Sequence, residues 1–238
     1  MTSRYSNQLV LNLGPRLDAR LSDFAGSNWT AVIAAIDDLL HGSSKNCFVY
    51  GEPNTGKTHL LAAVCEAYSQ QGYTTLLLSL RDLLDSESPD LLESLENFTL
   101  IALDDVEVIN GHEDWQQALF NLLSRAKISQ TRILLAARTS PADLGLQLLS
   151  LNSQLSKAVF FHIPNGKDEA DRHAILLAAL ERRGITLEAD VIRYLLDKGP
   201  SYTGLLLKHL AYLEEAAVQQ RKKLTLSFVK QLTEPLLS

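Results

Sequence analysis

Residues 51–58 read Gly51-Glu52-Pro53-Asn54-Thr55-Gly56-Lys57-Thr58, a complete G-x-x-x-x-G-K-[ST] pattern. Each part of it has a physical task. The glycines let the backbone curl so that several amide N–H groups face one anion. The next stretch, Thr58 to Gln70, has helical apolar spacing through Leu61, Val64, Cys65 and Tyr68. The loop therefore ends at a helix N-terminus, whose positive end adds to the attraction. Lys57 is placed to reach the β and γ phosphates of a nucleotide, and the Thr58 hydroxyl to hold Mg2+. By average residue usage the pattern arises by chance in roughly one chain in a hundred of this length. Its context decides against chance. A short apolar run, Cys47-Phe48-Val49-Tyr50, precedes the loop, and a second run, Leu100-Ile101-Ala102-Leu103, ends in Asp104-Asp105. That is where a carboxylate would meet the cation. Asp104 is the metal partner of the pair. Asp105 either orients or activates attacking water, or caps the segment that follows; geometry must decide.

Outward from the loop, strands and helices alternate. Strands are expected at 46–50, 73–80, 98–103, 132–137 and 157–163, with helices at 30–40, 58–70 and 113–127 and a short helix after the polar stretch Asp85 to Asp90. Alternation of this kind implies an α/β fold, a five-stranded parallel sheet with helices on both faces. Residues 1–28 are irregular. After the break Pro164-Asn165-Gly166 no strand-like run remains, and residues 167–183, 188–198, 204–220 and 227–237 read as helices, a small all-helical lid domain.

The chain has 238 residues, 46% of them apolar, enough to bury a sizeable core. No run is long enough to span a membrane, and the N-terminus lacks the basic-then-apolar pattern of a signal peptide. Cys47 and Cys65 sit in core elements and read as buried thiols. These features point to the cytoplasm. The net charge of −6 and pI near 5.5 argue against direct, tight DNA binding. The compact basic cluster Arg221-Lys222-Lys223 is read as a solvated helix end, with a DNA contact as the alternative. His112, His162, His173 and His209 share no metal spacing with the cysteines and are read as solvated or structural. The Trp115 helix, with Ala118, Leu119, Leu122 and Leu123, is read as core-facing.

These motifs, in this order and followed by a helical lid, resemble the AAA+ ATPases, and within them the DnaA/Hda family. Gln8-Leu9-Val10-Leu11-Asn12-Leu13 is similar to the sliding-clamp-binding peptide of the Hda members. Phe24-Ala25-Gly26-Ser27-Asn28 is similar to the F-x-x-G-x-N segment that lies near the adenine in DnaA-type proteins. Arg221 to Lys230 resembles the last lid segment of the Hda group. The resemblance covers essentially the whole chain and implies three parts: residues 1–20, a clamp-binding segment; 21–165, a nucleotide-binding AAA+ domain; and 166–238, the lid. It implies ADP or ATP with Mg2+, held by Gly51 to Thr58 together with His59, Phe24 and Asn28. It implies the replication initiator DnaA and the DNA polymerase III sliding clamp as partners, with Gln8, Leu9, Leu11 and Leu13 as clamp contacts. A homodimer or an AAA+ oligomer stays open, as does a first strand or flap role for residues 8–13. The implied function is regulation of replication initiation, with DnaA inactivated by promotion of its ATP hydrolysis. A DnaA-like interaction module without that activity, or a helicase-loader-like ATPase, are the alternatives.

Three positions depart from the family pattern. Leu151-Asn152-Ser153-Gln154-Leu155 has Gln154 where the family places an arginine finger, with Arg125 and Arg138 as candidate substitutes. The fourth strand ends in Arg138-Thr139 where a short polar sensor is usual. The lid segment Pro200-Ser201-Tyr202-Thr203-Gly204 lacks the phosphate-touching arginine, and Lys208 is the nearest basic residue by helical spacing. A complete cradle beside altered sensors implies weak intrinsic hydrolysis.

Overall fold

The computed structural model describes residues 19–42 and 45–237. Five strands form one parallel sheet: β1 Asn46–Tyr50, β2 Thr75–Ser79, β3 Leu100–Asp104, β4 Arg132–Ala137 and β5 Val159–His162. They lie in the order β2-β3-β4-β1-β5. The register is simple, with Phe48 opposite Leu135 and Phe160, and Ala102 opposite Leu134 and Leu77. A parallel sheet covered on both faces needs strands apolar on both sides, and β3 is buried at every residue. Alternation then sorts the side chains. Cys47, Val49, Ala102 and Leu134 join one apolar layer with helices α1 (Thr30–His41) and α2 (Lys57–Ser69). Phe48, Ile101, Leu103, Ile133 and Leu135 join the other, with α3 (Leu80–Ser86), α4 (Glu113–Ser129) and α5 (Leu149–Leu155).

The five-stranded α/β reading holds, and so does the lid. Helices α6 (Glu169–Arg182), α7 (Ala189–Lys198), α8 (Thr203–Gln220) and α9 (Leu226–Leu237) share their own apolar cluster around Leu176, Leu180, Leu195, Leu206, Leu210 and Val229. Ile175 of α6 belongs to the sheet-side cluster instead, and Leu207 of α8 touches both. Two elements differ from expectation. The polar stretch after β2 is partly helical, because Ser79 accepts a hydrogen bond from the Asp82 amide and starts α3 five residues before the polar run begins. Helix α5 has no counterpart among the helices expected from the sequence; its seven residues bury only Leu151 and Leu155, too few for a periodic signal.

Burial pushes the Cys47 and Cys65 thiols up to about 12, so both are inert side chains of the core. Trp115 is buried with Leu119, Leu122 and Leu123. His209 is buried against Thr233 at 2.9 Å, and burial holds its pKa below the ordinary value. His112, His162 and His173 are exposed. Among the described residues no helix is long and apolar enough to cross a membrane.

Candidate functional site

The carboxyl ends of parallel strands, where the loops diverge, form the usual crevice of an open α/β sheet. Here that edge carries residues 51–58 after β1, Asp104 at the end of β3 and Arg138 just past β4. Gly56 has φ 98°, a left-handed conformation, immediately before α2 begins at Lys57. Gly51 is needed for space: a Cβ there would lie 3.2 Å from the Ile163 carbonyl oxygen. Thr55 Oγ1 donates to the Glu52 carbonyl at 2.9 Å and braces the loop. Lys57 Nζ is buried and donates to the carbonyls of Gly51 (2.7 Å) and Glu52 (2.8 Å). Burial lowers the Lys57 pKa, against the opposing pull of the Asp104, Glu107 and Asp105 carboxylates.

The Thr58 hydroxyl donates to Asp104 Oδ2. Burial raises the Asp104 pKa, and the bond from Thr58 only partly offsets it. A desolvated carboxylate of this kind gains from a cation at its side. Among the described residues no group of three or more His, Cys, Asp or Glu is arranged to hold a metal ion. A magnesium ion fits Thr58 and Asp104 with phosphate oxygens completing its shell, since that ion seldom takes an all-protein cage.

Asp105 sits at φ 56° before the 3₁₀ turn Val106–Ile109, and its side chain makes no capping bond to that turn. It lies 3.4 Å from Arg81 Nη2 and 3.5 Å from Ser79 Oγ. Glu107, unremarked in the sequence, holds Arg138 by two contacts, from Nε at 3.0 Å and from the backbone amide at 3.2 Å. Because β4 runs between β1 and β3, Arg138 emerges between the cradle and the acids.

The lid closes the other side. Helix α8 begins against the loop, so that a Cβ on Gly204 would lie 2.8 Å from the Asn54 carbonyl oxygen. Tyr202 donates to Glu52 at 3.4 Å, and Lys167 stands 4.8 Å over the Tyr202 ring. Between lid and core runs a crevice lined by Phe24, Trp29, Gly56, His59, Ile175 and Leu207, among others. Its floor is tied by Asp23, which accepts from Arg182 Nε at 2.7 Å and faces His59 Nε2 at 3.1 Å. Burial alone would raise the Asp23 pKa. The bonds from His59 and the Arg20 amide, with the Arg182 charge, outweigh it and hold the carboxyl below its ordinary value.

Residues 25–162 match the profile of the bacterial DnaA ATPase domain, and residues 168–233 that of the Hda lid domain. The chain belongs to the DnaA-related AAA+ family. An uncharacterised protein of Haemophilus influenzae is 32% identical over 232 residues, which cover 95% of this chain and 98% of that protein. Domain III of the Thermotoga maritima replication initiation protein DnaA has a TM-score of 0.76 at 19% identity, over 94% of this chain and 98% of the other. AMPPCP-bound DnaA from Aquifex aeolicus has a TM-score of 0.65 at 22% identity, over 80% of this chain and 62% of its own. The chain thus spans less than two thirds of that longer protein, and likenesses at this identity establish the DnaA-type fold.

Within this DnaA-related fold, residues 51–58, His59, Asp104 and Asp105 come together, and Phe24 lines the adjoining crevice. Asn28 is exposed and lies outside the residues lining the crevice. Gln8, Leu9, Leu11 and Leu13 fall outside the described residues. Gln154 is half-buried on α5 with its Oε1 enclosed and unbonded. Arg125 donates to the Leu92 carbonyl at 2.9 Å, and Arg138 is paired with Glu107. Lys208 is exposed on α8. Sequence reasoning missed Asp23, Arg182, Lys167 and Tyr202. Their distances along the chain from the loop left no local signal, although the departure at Tyr202-Thr203-Gly204 marked the right stretch of lid.

Proposed function

We propose that the protein is a nucleotide-binding regulator of replication initiation that acts on DnaA. The observation that supports it is a complete cradle in a chain whose sensor positions are altered. The elements that hold a nucleotide are all present: the 51–58 loop, the buried Lys57 and the Thr58–Asp104 pair. The groups that would speed cleavage are altered: Gln154 is uncharged, Gly204 stands in the lid stretch, and Arg138 is engaged by Glu107. Such a site keeps ADP or ATP with Mg2+ and turns it over slowly. A bound magnesium ion would offset phosphate charge. Residues 8–13 then tether the chain to the DNA-loaded sliding clamp, and the AAA+ surface docks on ATP-bound DnaA. Tethering raises the effective concentration of one partner near the other, and DnaA hydrolyses its ATP and becomes inactive.

The test is hydrolysis of DnaA-bound ATP, followed with clamp loaded on DNA. The wild-type chain is expected to accelerate it, and the Gln8→Ala/Leu9→Ala variant to lose the clamp in a pull-down and the acceleration with it. Rapid ATP turnover by the purified chain alone would contradict the regulatory reading. The half-buried Gln154 favours a second reading, an interaction module that binds DnaA or clamp without inactivating. In that case the wild type leaves DnaA hydrolysis unchanged, and a Gln154→Arg variant shows whether that position is the cause.

A further inference from the structure

Strand β5 lies at the open end of the sheet and is bare where edge strands are usually guarded. It pairs with β1 on one side, and among the described residues no strand lies on the other. Phe160 is 51% exposed and Val159 44%, and neither joins the two apolar layers of the core. Phe160 extends a group of rings to the surface. It stands 6.4 Å from Tyr50, which meets His162 edge-on at 5.2 Å. Edge strands normally carry prolines, bulges or charges that stop them pairing with other chains. Val159–His162 holds no Pro, Asp, Glu, Lys or Arg, and its register with Cys47–Tyr50 is unbroken.

The backbone shows what this edge offers. The Ile163 amide donates to the Tyr50 carbonyl at 2.7 Å, so residue 163 turns its backbone groups toward β1. Along a strand these groups alternate sides. Those of Phe161 therefore face β1 as well, and those of Phe160 and His162 face outward. The complement of such an edge is another extended backbone. Charge selects which one. The chain carries a net charge of −6, yet it has no carboxylate between Asp143 and Asp168. Two copies of an acidic chain meet with least repulsion on a surface of that kind. The strand also complements itself. With Phe160 on a twofold axis, Val159 of one copy faces Phe161 of the other, and no charge opposes its like at the centre.

We propose that β5 pairs antiparallel with β5 of a second copy of this chain, joining the two sheets about a twofold axis at Phe160. The two Phe160 residues exchange both of their backbone N–H···O=C bonds across the axis. Their rings cover each other beside Tyr50 and His162 on one face, while Val159 and Phe161 meet on the other. The contact is short, so its dissociation constant should be on the order of 10–100 µM. It draws on no property of the nucleotide site.

The test is sedimentation equilibrium of the full chain from roughly 5 to 500 µM, a range that brackets that constant. The average mass of the wild type should rise toward twice that of the monomer. Phe160→Glu sets like charges against each other on the axis and should hold the mass at the monomer value throughout. Its melting temperature should stay close to that of the wild type, because position 160 is half exposed. A second readout is covalent. A hydrogen-bonded antiparallel pair holds its Cα atoms about 5.5 Å apart, within the span of a disulfide. Phe160→Cys should therefore oxidise to a cross-linked dimer at least about tenfold faster than Ile128→Cys, an exposed position away from the edge. Cys47 and Cys65 are buried and stay out of the reaction. A wild type that remains monomeric at every concentration overturns the proposal. So does a dimer that Phe160→Glu leaves intact, or equal rates of cross-linking at positions 160 and 128, since the contact then lies elsewhere.

Discussion

Lys57 spends its ammonium on two carbonyl oxygens of its own loop, 2.7 and 2.8 Å away. A phosphate oxygen offers it a charge-assisted bond, roughly twice as strong as a neutral one. Lys57→Ala is therefore expected to weaken ADP binding about 100-fold, from the loss of one or two bonds to a charged partner; a fluorescence titration that finds no change would refute that role. Asp104 belongs to the same argument through pH. Burial raises its pKa, and only the ionised form holds a cation. The magnesium-dependent part of nucleotide affinity should thus decline as pH falls through that raised value, beginning above the ordinary carboxylate range. Asp104→Asn should abolish that dependence, measured as the ratio of affinities with Mg2+ and with chelator across pH. The assignment of Asp104 over Asp105 also has a local cause. Position 104 ends the strand and faces Thr58, whereas position 105 has turned left-handed and points to Arg81 and Ser79.

At the scale of elements, the contact that matters is α6 and α8 of the lid against the start of α2. Asp23 joins three segments: the N-terminal approach, α2 through His59 and α6 through Arg182. Removing one member of a buried pair leaves the other charge without compensation, at about 3 kcal/mol. Asp23→Asn should lower the stability of the chain by about that amount at neutral pH, measured by urea unfolding. The sign with pH follows from the depressed folded-state pKa of Asp23. Its contribution is complete above the unfolded-state value and disappears as pH falls through the lower folded value. The wild type should lose this increment in acid, and Asp23→Asn should show a flatter acid limb. Helix α8 makes the second contact through Gly204, packed against the Asn54 carbonyl. A backbone this close to the loop leaves no room for a side chain at position 204.

For the molecule as a whole, the crevice lies between two apolar clusters that share Leu207, with Ile175 of the lid buried on the sheet side. A ligand bound there contacts lid and core together and so opposes unfolding of both. At 100 times its dissociation constant, ADP with Mg2+ should stabilise the chain by about 2.7 kcal/mol, a rise in Tm of roughly 5–10 °C for a chain of this size. A thermal shift that appears with ADP, and vanishes in Lys57→Ala, checks this without reference to any partner.

The sheet, the loop and the lid are legible along the chain. Apolar runs of strand length, a glycine-lysine loop between strand and helix, and the loss of strands after Pro164-Asn165-Gly166 are local patterns, and local patterns set by backbone sterics and periodicity can be read along a chain. Even the altered positions at Arg138, Gln154 and 200–204 were visible, because motifs have fixed spacing. Tertiary structure alone decided what those positions touch. Arg138 is held by Glu107, Gly204 lies on Asn54, and Asp23 gathers His59 and Arg182 from 36 and 159 residues away. Asp171 reads in sequence as one more acid in the first turn of a surface helix. It becomes a buried, unbonded carboxylate only when the lid folds onto Gly26, because solvation and pairing depend on distances in space that no spacing along the chain encodes.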